Sequence, residues 1–383
     1  MRHIFRAIWK FLSEADIFLF LLSLTCTIIG LLLISSIPKS KEGSNRELYV
    51  QIGALIIGVV LYIIFSYVDI DIIADKSLFL MIFSVLFIST LQFWGVGKAE
   101  TGNNAWLRFL DIGIQPAEIT KITFIIIIAR MMATFKERKS LNSILSLLQI
   151  IAIFGIFFVL IIVVSGDLGS ALVYMFILIV MLYIGGVKIR WFALSAAIVA
   201  AASPFLWLNF MSERQRDRIL APFLPDLLDP ERADEITWQA QQSVRAIASG
   251  GFLGQGLGSG YMTQKGLVPA QNNDFIFSAV GEELGFLGCV IITVLLIIII
   301  ARCIYIGIKS NNPLGLLVCT GIAAMLIIQT FENIGMCLAI LPVIGITLPF
   351  FSYGGSSIVT CFAAMGIVSG IKMRPKPVRF RSM

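Results

Sequence analysis

Long apolar runs alternate with short polar breaks along the whole chain. A helix that crosses the ~30 Å hydrocarbon layer needs about 20 apolar residues in succession. Ten runs are long enough, at roughly 17–37, 49–68, 78–96, 115–134, 144–165, 168–187, 190–211, 275–304, 314–340 and 353–371. They predict an all-α integral membrane protein, a bundle of about ten transmembrane helices. A helix satisfies its backbone hydrogen bonds internally, where lipid offers no partner. The alternating strands of an outer-membrane barrel are absent from the pattern.

One polar stretch is far longer than the others. Residues 212–273 form a hydrophilic loop between the seventh and eighth runs, inside what otherwise reads as a single polytopic domain over 1–383. Long ordered loops usually carry function. Within it, 236–249 (ITWQAQQSVRAIAS) predicts an amphipathic helix lying on the membrane surface. The glycines of 249–260 (SGGFLGQGLGSG) predict flexible loop closure; the GxxxxGK[ST] pattern of a nucleotide-binding loop is absent.

Composition excludes a soluble fold. With 58% hydrophobic and 14% charged residues, 383 residues cannot supply a polar surface. The net charge of +6 sits on short loops and a tail, which reports orientation and gives no surface for nucleic acid. With the N-terminus in the cytoplasm, the inside segments carry Arg2, Arg6, Lys10, Lys76, Lys136, Arg138, Lys139, Lys188, Arg190, Arg302, Lys309 and the basic tail. The short outside loops then carry only Lys39, Lys41, Arg46, Lys98 and Arg108. Both termini are therefore expected in the cytoplasm, and 212–273 outside. The N-terminal MRHIFRAIWKFLSEAD lacks a small-residue cleavage site after a short apolar core, so the first run is expected to stay as a helix. The six cysteines lie in or beside apolar runs without CxxC spacing and read as packing residues. His3 is the single histidine, which excludes a histidine-based metal site.

Charges inside apolar runs are costly and mark function or internal pairing. Asp274 stands at the lip of the eighth run, and Glu282 and Glu283 lie within it. Asp274 reads either as a helix N-cap or as a general base. Glu282 lies about two helical turns deeper, on a similar face; it reads as the wall of a cavity or as a buried interhelical clamp. Glu118 and Lys121 are spaced i, i+3, behind the helix-starting Gln115-Pro116, and can pair. That pair is either structural or part of a cavity. Arg214, Arg216 and Arg218 open the long loop, where guanidinium groups suit either phosphate or lipid headgroups.

Four stretches then occur in order: NNAWLRFLDIGIQPAEITK (103–121), GDLGSAL (166–172), a region from RDRILAPF through QQSVRAIASGGFLGQG to NDFIFSAVGEELGFLG within 216–288, and NIGMCLAILPVIGITLPFFSYGGSS (333–357). Together they resemble the SEDS family of shape, elongation, division and sporulation proteins, most of all its RodA branch. Ala270 departs from the pattern, because family members usually carry Glu after the proline that precedes the key Asp.

The resemblance implies a peptidoglycan glycosyltransferase. Such an enzyme polymerises lipid II at the outer face of the bacterial cytoplasmic membrane, beside a class B penicillin-binding protein and the elongation or division machinery. It implies Asp274 as the catalytic base. Glu118, Lys121, Arg108, Arg216, Arg218, Gln242, Ser243, Glu282 and Ser352 are the candidate substrate-binding residues. The transfer inverts an α-linked donor to a β-linked product, so one base and a set of cations for the pyrophosphate suffice. A divalent cation, Mg or Mn, is an option beside the pyrophosphate. The alternative function is a lipid II flippase, with the same cavity and no chemistry.

Overall fold

The computed structural model describes residues 13–37, 46–97, 103–109, 112–209, 211, 213–224, 227–228 and 230–374. His3 and most of the basic tail lie outside the described residues. The first helices are α1 (Ile17–Ser36), α2 (Arg46–Tyr67), α3 (Ile70–Asp75), α4 (Ser77–Ser89) and α5 (Leu91–Trp94). Then come α6 (Pro116–Glu137), α7 (Ile144–Leu160, continued to Ser165 with wider turns), α8 (Leu168–Gly185) and α9 (Ile189–Asn209). The long loop holds α10 (Glu213–Leu220), α11 (Pro230–Ser249) and α12 (Tyr261–Gln264). Last are α13 (Ile276–Lys309), α14 (Pro313–Cys337) and α15 (Gly355–Met373).

Helices occupy all ten segments expected to span. Among the described residues, nine are long and apolar enough to cross a membrane by length and composition, and the chain is a multi-pass membrane protein. The tenth, α6, is 22 residues long but carries Glu118, Lys121 and Arg130 in its body, and these charges are met by protein. A small antiparallel sheet, β1 (Gly95–Val96), β2 (Trp106–Phe109) and β3 (Ile112–Ile114), precedes α6 and was not expected.

α14 and α15 form the buried centre, whereas among the described residues none of α9 is buried. α15 runs along α2, α8 and α13 pack on α14, and α1 packs on α13. Small residues bring backbones together where lipid gives no hydrophobic drive. A Cβ at Gly366 would stand 2.6 Å from the Tyr62 carbonyl oxygen, and one at Gly370 would stand 2.8 Å from that of Phe65.

α13 is broken at Gly285, whose φ of 68° and ψ of −168° interrupt the helix. The glycine-rich loop closes the break. Gln255 N donates to Glu282 O (2.9 Å), Gly256 N to Glu283 O (3.0 Å), Phe286 N to Gly251 O (2.9 Å) and Leu287 N to Phe252 O (3.1 Å). A Cβ at Gly254 would lie 2.2 Å from Glu283 O, so only glycine allows this approach. The glycines therefore build a fixed clasp, which corrects the expectation of flexible closure. α11 is also corrected: it packs against α13 and α14 through Ala240, Ser243 and Ala246, which a helix floating on the membrane surface would leave open.

The clasp locates the membrane edge. Phe286 to Lys309 at 1.5 Å per residue is about 36 Å, already enough to cross the hydrocarbon layer. Glu283 accepts a hydrogen bond from Ser36 Oγ (2.6 Å) at the end of α1, so both helices reach the same level there.

Candidate active site

The ends of α1, α2, α6, α8, α13 and α15, with β2 and β3, enclose a cavity of about 990 Å³. Four of the expected site residues line it: Asp274, Glu118, Lys121 and Arg108. Arg46, Glu47, Gln115, Asp167 and Tyr353 line it as well.

Asp274 belongs to the turn before α13. The cap position of that helix is Phe275, and no side chain caps it. Among the described residues no group hydrogen-bonds the Asp274 carboxylate; only its backbone carbonyl is held, by Asn333 Nδ2 at 2.7 Å and Cys337 Sγ at 3.6 Å. The side chain is deep in protein yet half-buried, because one side faces the cavity. Gly345 lies against it, and a Cβ there would stand 3.3 Å from Oδ2. Burial, and then the negative charge of Asp167, push its pKa up to about 6.

Asp167 is the opposite case. It caps α8, accepting from Ser170 N (3.0 Å) and Ser170 Oγ (2.6 Å), and takes a third bond from Gln115 Nε2 (3.0 Å). Three donors hold its carboxylate in place while it faces the same cavity. Sequence reasoning included its motif and passed over the residue; the signal was a helix-capping Asp between two apolar runs.

Lys121 and Glu118 form a buried ion pair on the first turns of α6, with Lys121 only 1% exposed. Arg108 is exposed on β2, opposite Gly113 in the sheet register. The short sheet thus carries a guanidinium to the cavity wall, and α6 brings an ammonium to the lining of the same cavity.

The remaining candidates lie elsewhere. Glu282 is fully buried and accepts from Met262 N (2.6 Å), Thr263 N (2.7 Å) and Thr263 Oγ1 (2.6 Å), so it is a clamp on α12 and no cavity wall. Ser243 is sealed between α11, α13 and α14, where it donates to Cys337 O (2.6 Å) and bonds Ser278 Oγ. Gln242 beside it turns toward Trp238 and Arg245. Ser352 is buried in the turn before α15, where it donates to Asn273 O (2.7 Å) and accepts from Leu348 N (2.8 Å). These hydroxyls and the Glu282 carboxylate are taken up by backbone and side-chain partners within the protein and do not line the cavity. Arg216 donates to Leu208 O (3.0 Å) and closes the end of α9. The side chains of Arg214 and Arg218 lie outside the described residues. The six cysteines are free and buried, as packing residues.

The family model described as "Cell cycle protein", covering FtsW, RodA and SpoVE, matches residues 16–376. A protein of Geobacter sulfurreducens named probable peptidoglycan glycosyltransferase FtsW is 32% identical over 282 residues, 74% of this chain and 73% of that protein. The peptidoglycan glycosyltransferase MrdB of Escherichia coli is 29% identical over 328 residues, 85% of each. The structure of the rod shape determining protein RodA of Thermus thermophilus matches with a TM-score of 0.67 at 22% identity, over 94% of this chain and 96% of that one. A chain from a peptidoglycan synthase complex, described as coordinating polymerization and crosslinking, matches with a TM-score of 0.79 at 24% identity, over 96% and 99%. Relatives named FtsW and MrdB match at similar identity, so the likeness lies at the level of the family and does not single out its RodA branch. The chain belongs to the FtsW, RodA and SpoVE family, the SEDS proteins.

Proposed function

We propose that this chain is a peptidoglycan glycosyltransferase that polymerises lipid II, with Asp274 as general base. The observation that carries the reading is the Asp274 carboxylate: unbonded, set in protein and open to a polar cavity. With a pKa of about 6 it is mostly ionised at neutral pH and still basic enough to take a proton. The acceptor sugar hydroxyl gives its proton to Asp274 while its oxygen attacks the anomeric carbon of the donor. The bond from that carbon to the pyrophosphate oxygen breaks, its electron pair leaves with undecaprenyl pyrophosphate, and the α-linked centre becomes β-linked. Lys121, Arg108 and Arg46 on the cavity wall meet the charge that develops on the leaving group.

Among the described residues no group of three or more histidine, cysteine or carboxylate side chains could hold a metal ion. A Mg or Mn ion in this reaction would ride on the pyrophosphate oxygens rather than in a protein cage.

Loop charge supports a cavity end outside and basic loops inside, with both termini cytoplasmic, and the activity calls for the bacterial cytoplasmic membrane. A class B penicillin-binding protein, the transpeptidase that uses glycan strands, is the partner this activity calls for. The packing supports chemistry over translocation. Beyond Lys121, α6 buries Phe124, Ile125, Ile128 and Met132, so the helix continues into protein with apolar side chains instead of a polar path. Purified chain with lipid II and no other polymerase is expected to yield gel-resolved glycan strands. Movement of lipid II across the bilayer without strands would establish the flippase instead.

A further inference from the structure

Asn333 does more than join two helices. It sits on α14, fully buried, and an amide has two N–H donors. Both are used: Nδ2 donates to Asp274 O at 2.7 Å and to Ile346 O at 2.7 Å. These carbonyls belong to two separate turns, one leading into α13 and one leading into α15. Both turns line the cavity, and they meet where Gly345 faces the Asp274 carboxylate. The same two turns are tied again by Ser352 Oγ on Asn273 O (2.7 Å) and by Tyr353 N on Asn272 O (2.8 Å).

We propose that Asn333 is a positioning residue for transfer: its amide fixes the separation between the Asp274 turn and the Gly345 turn, and so aims the base at the acceptor hydroxyl. The proposal rests on the reading of Asp274 as the base. Of these ties, Asn333 alone grips the Asp274 carbonyl and the Gly345 turn with one rigid amide, and that keeps the carboxylate at one point of the wall. A displacement of about 1 Å from a productive geometry is enough to cost roughly 100-fold in rate. The residue touches neither the carboxylate nor the cavity, so it acts through Asp274.

The test uses full-length chain in nanodiscs with lipid II. Asn333→Ala is expected to lower kcat by about 10- to 100-fold with KM within about threefold. It should also move the acid limb of the pH–rate profile down from about 6 toward the ordinary aspartate value, because the freed carboxylate gains water. Asn333→Gln, which keeps both donors, is expected to recover part of kcat. Gln329→Ala removes another buried amide one turn away on the same helix and is expected to leave kcat and the acid limb in place. The proposal is overturned if Asn333→Ala lowers only thermal stability, or if Gln329→Ala reproduces its kinetic effect. If Asp274→Asn keeps full activity, the base assignment fails first, and that result is separate from any Asn333 outcome.

Discussion

Asp16 and Asp274 make an instructive pair. Each is an aspartate at the mouth of an apolar helix, and the two read alike in sequence. Asp16 is fully satisfied. It caps α1 by accepting from Leu19 N (2.9 Å), takes two bonds from Arg302 (2.9 and 2.7 Å) and lies 3.2 Å from Lys372 Nζ. Tyr62 Oη donates to its carbonyl, and its own N–H donates to Ser369 Oγ. Four helices, α1, α2, α13 and α15, meet on that one residue. Asp274 has its backbone pinned as firmly and its carboxylate left unbonded, facing a cavity. A buried carboxylate with both oxygens bonded holds a fold together, and one deprived of partners is poised to react.

The comparison breaks most directly at Asp274→Asn. Polymer formation is expected to fall by at least 10³-fold in the gel assay. The variant should also unfold at higher temperature. A carboxyl pushed from 3.8 to about 6 opposes folding in its charged form by up to about 3 kcal/mol at neutral pH, a figure that cavity water lowers. Asp16→Asn should behave in the opposite way. It strands Arg302 near the membrane edge and costs about 2–3 kcal/mol, read as a drop in thermal midpoint, with kcat per folded molecule unchanged. Retained stability in that variant would dissolve the contrast.

Lys121→Met sharpens the picture between these two. It leaves Glu118 buried without its cation, and kcat/KM is expected to fall about 10- to 100-fold. The double variant Glu118→Gln with Lys121→Met should restore the melting temperature and stay slow. Full activity in the double variant would make the pair purely structural. The smallest expected effect is on pH dependence. Activity needs ionised Asp274, so the rate should fall as pH drops through about 6. Asp167→Asn removes the like charge across the cavity and should shift that limb to lower pH by less than about one pH unit.

Much of this was legible in the sequence. Each of the ten apolar runs is a helix, and the ionic residues at the N-terminal ends of the sixth and thirteenth helices, Glu118, Lys121 and Asp274, do converge. What stayed hidden depends on distant chain. Glu282 and Glu283 sit next to each other in one apolar run, but their roles are set by Thr263 and by Ser36, 247 residues away. The strands at 95–114 are two to four residues long, too short for any periodicity to show. Gly285 looks like any glycine in an apolar helix, and only the docked loop reveals it as a break.

That break has a consequence for how the chain is made. Residues 251–256 leave the ribosome before Phe286 does, so the partners of the break are made before the second half of α13. The exposed peptide groups of the gap find partners waiting, supplied by a segment translated some thirty residues earlier. The continuity of α13 thus depends on peptide groups supplied from earlier in the chain, and a change in that loop is a change in the helix itself.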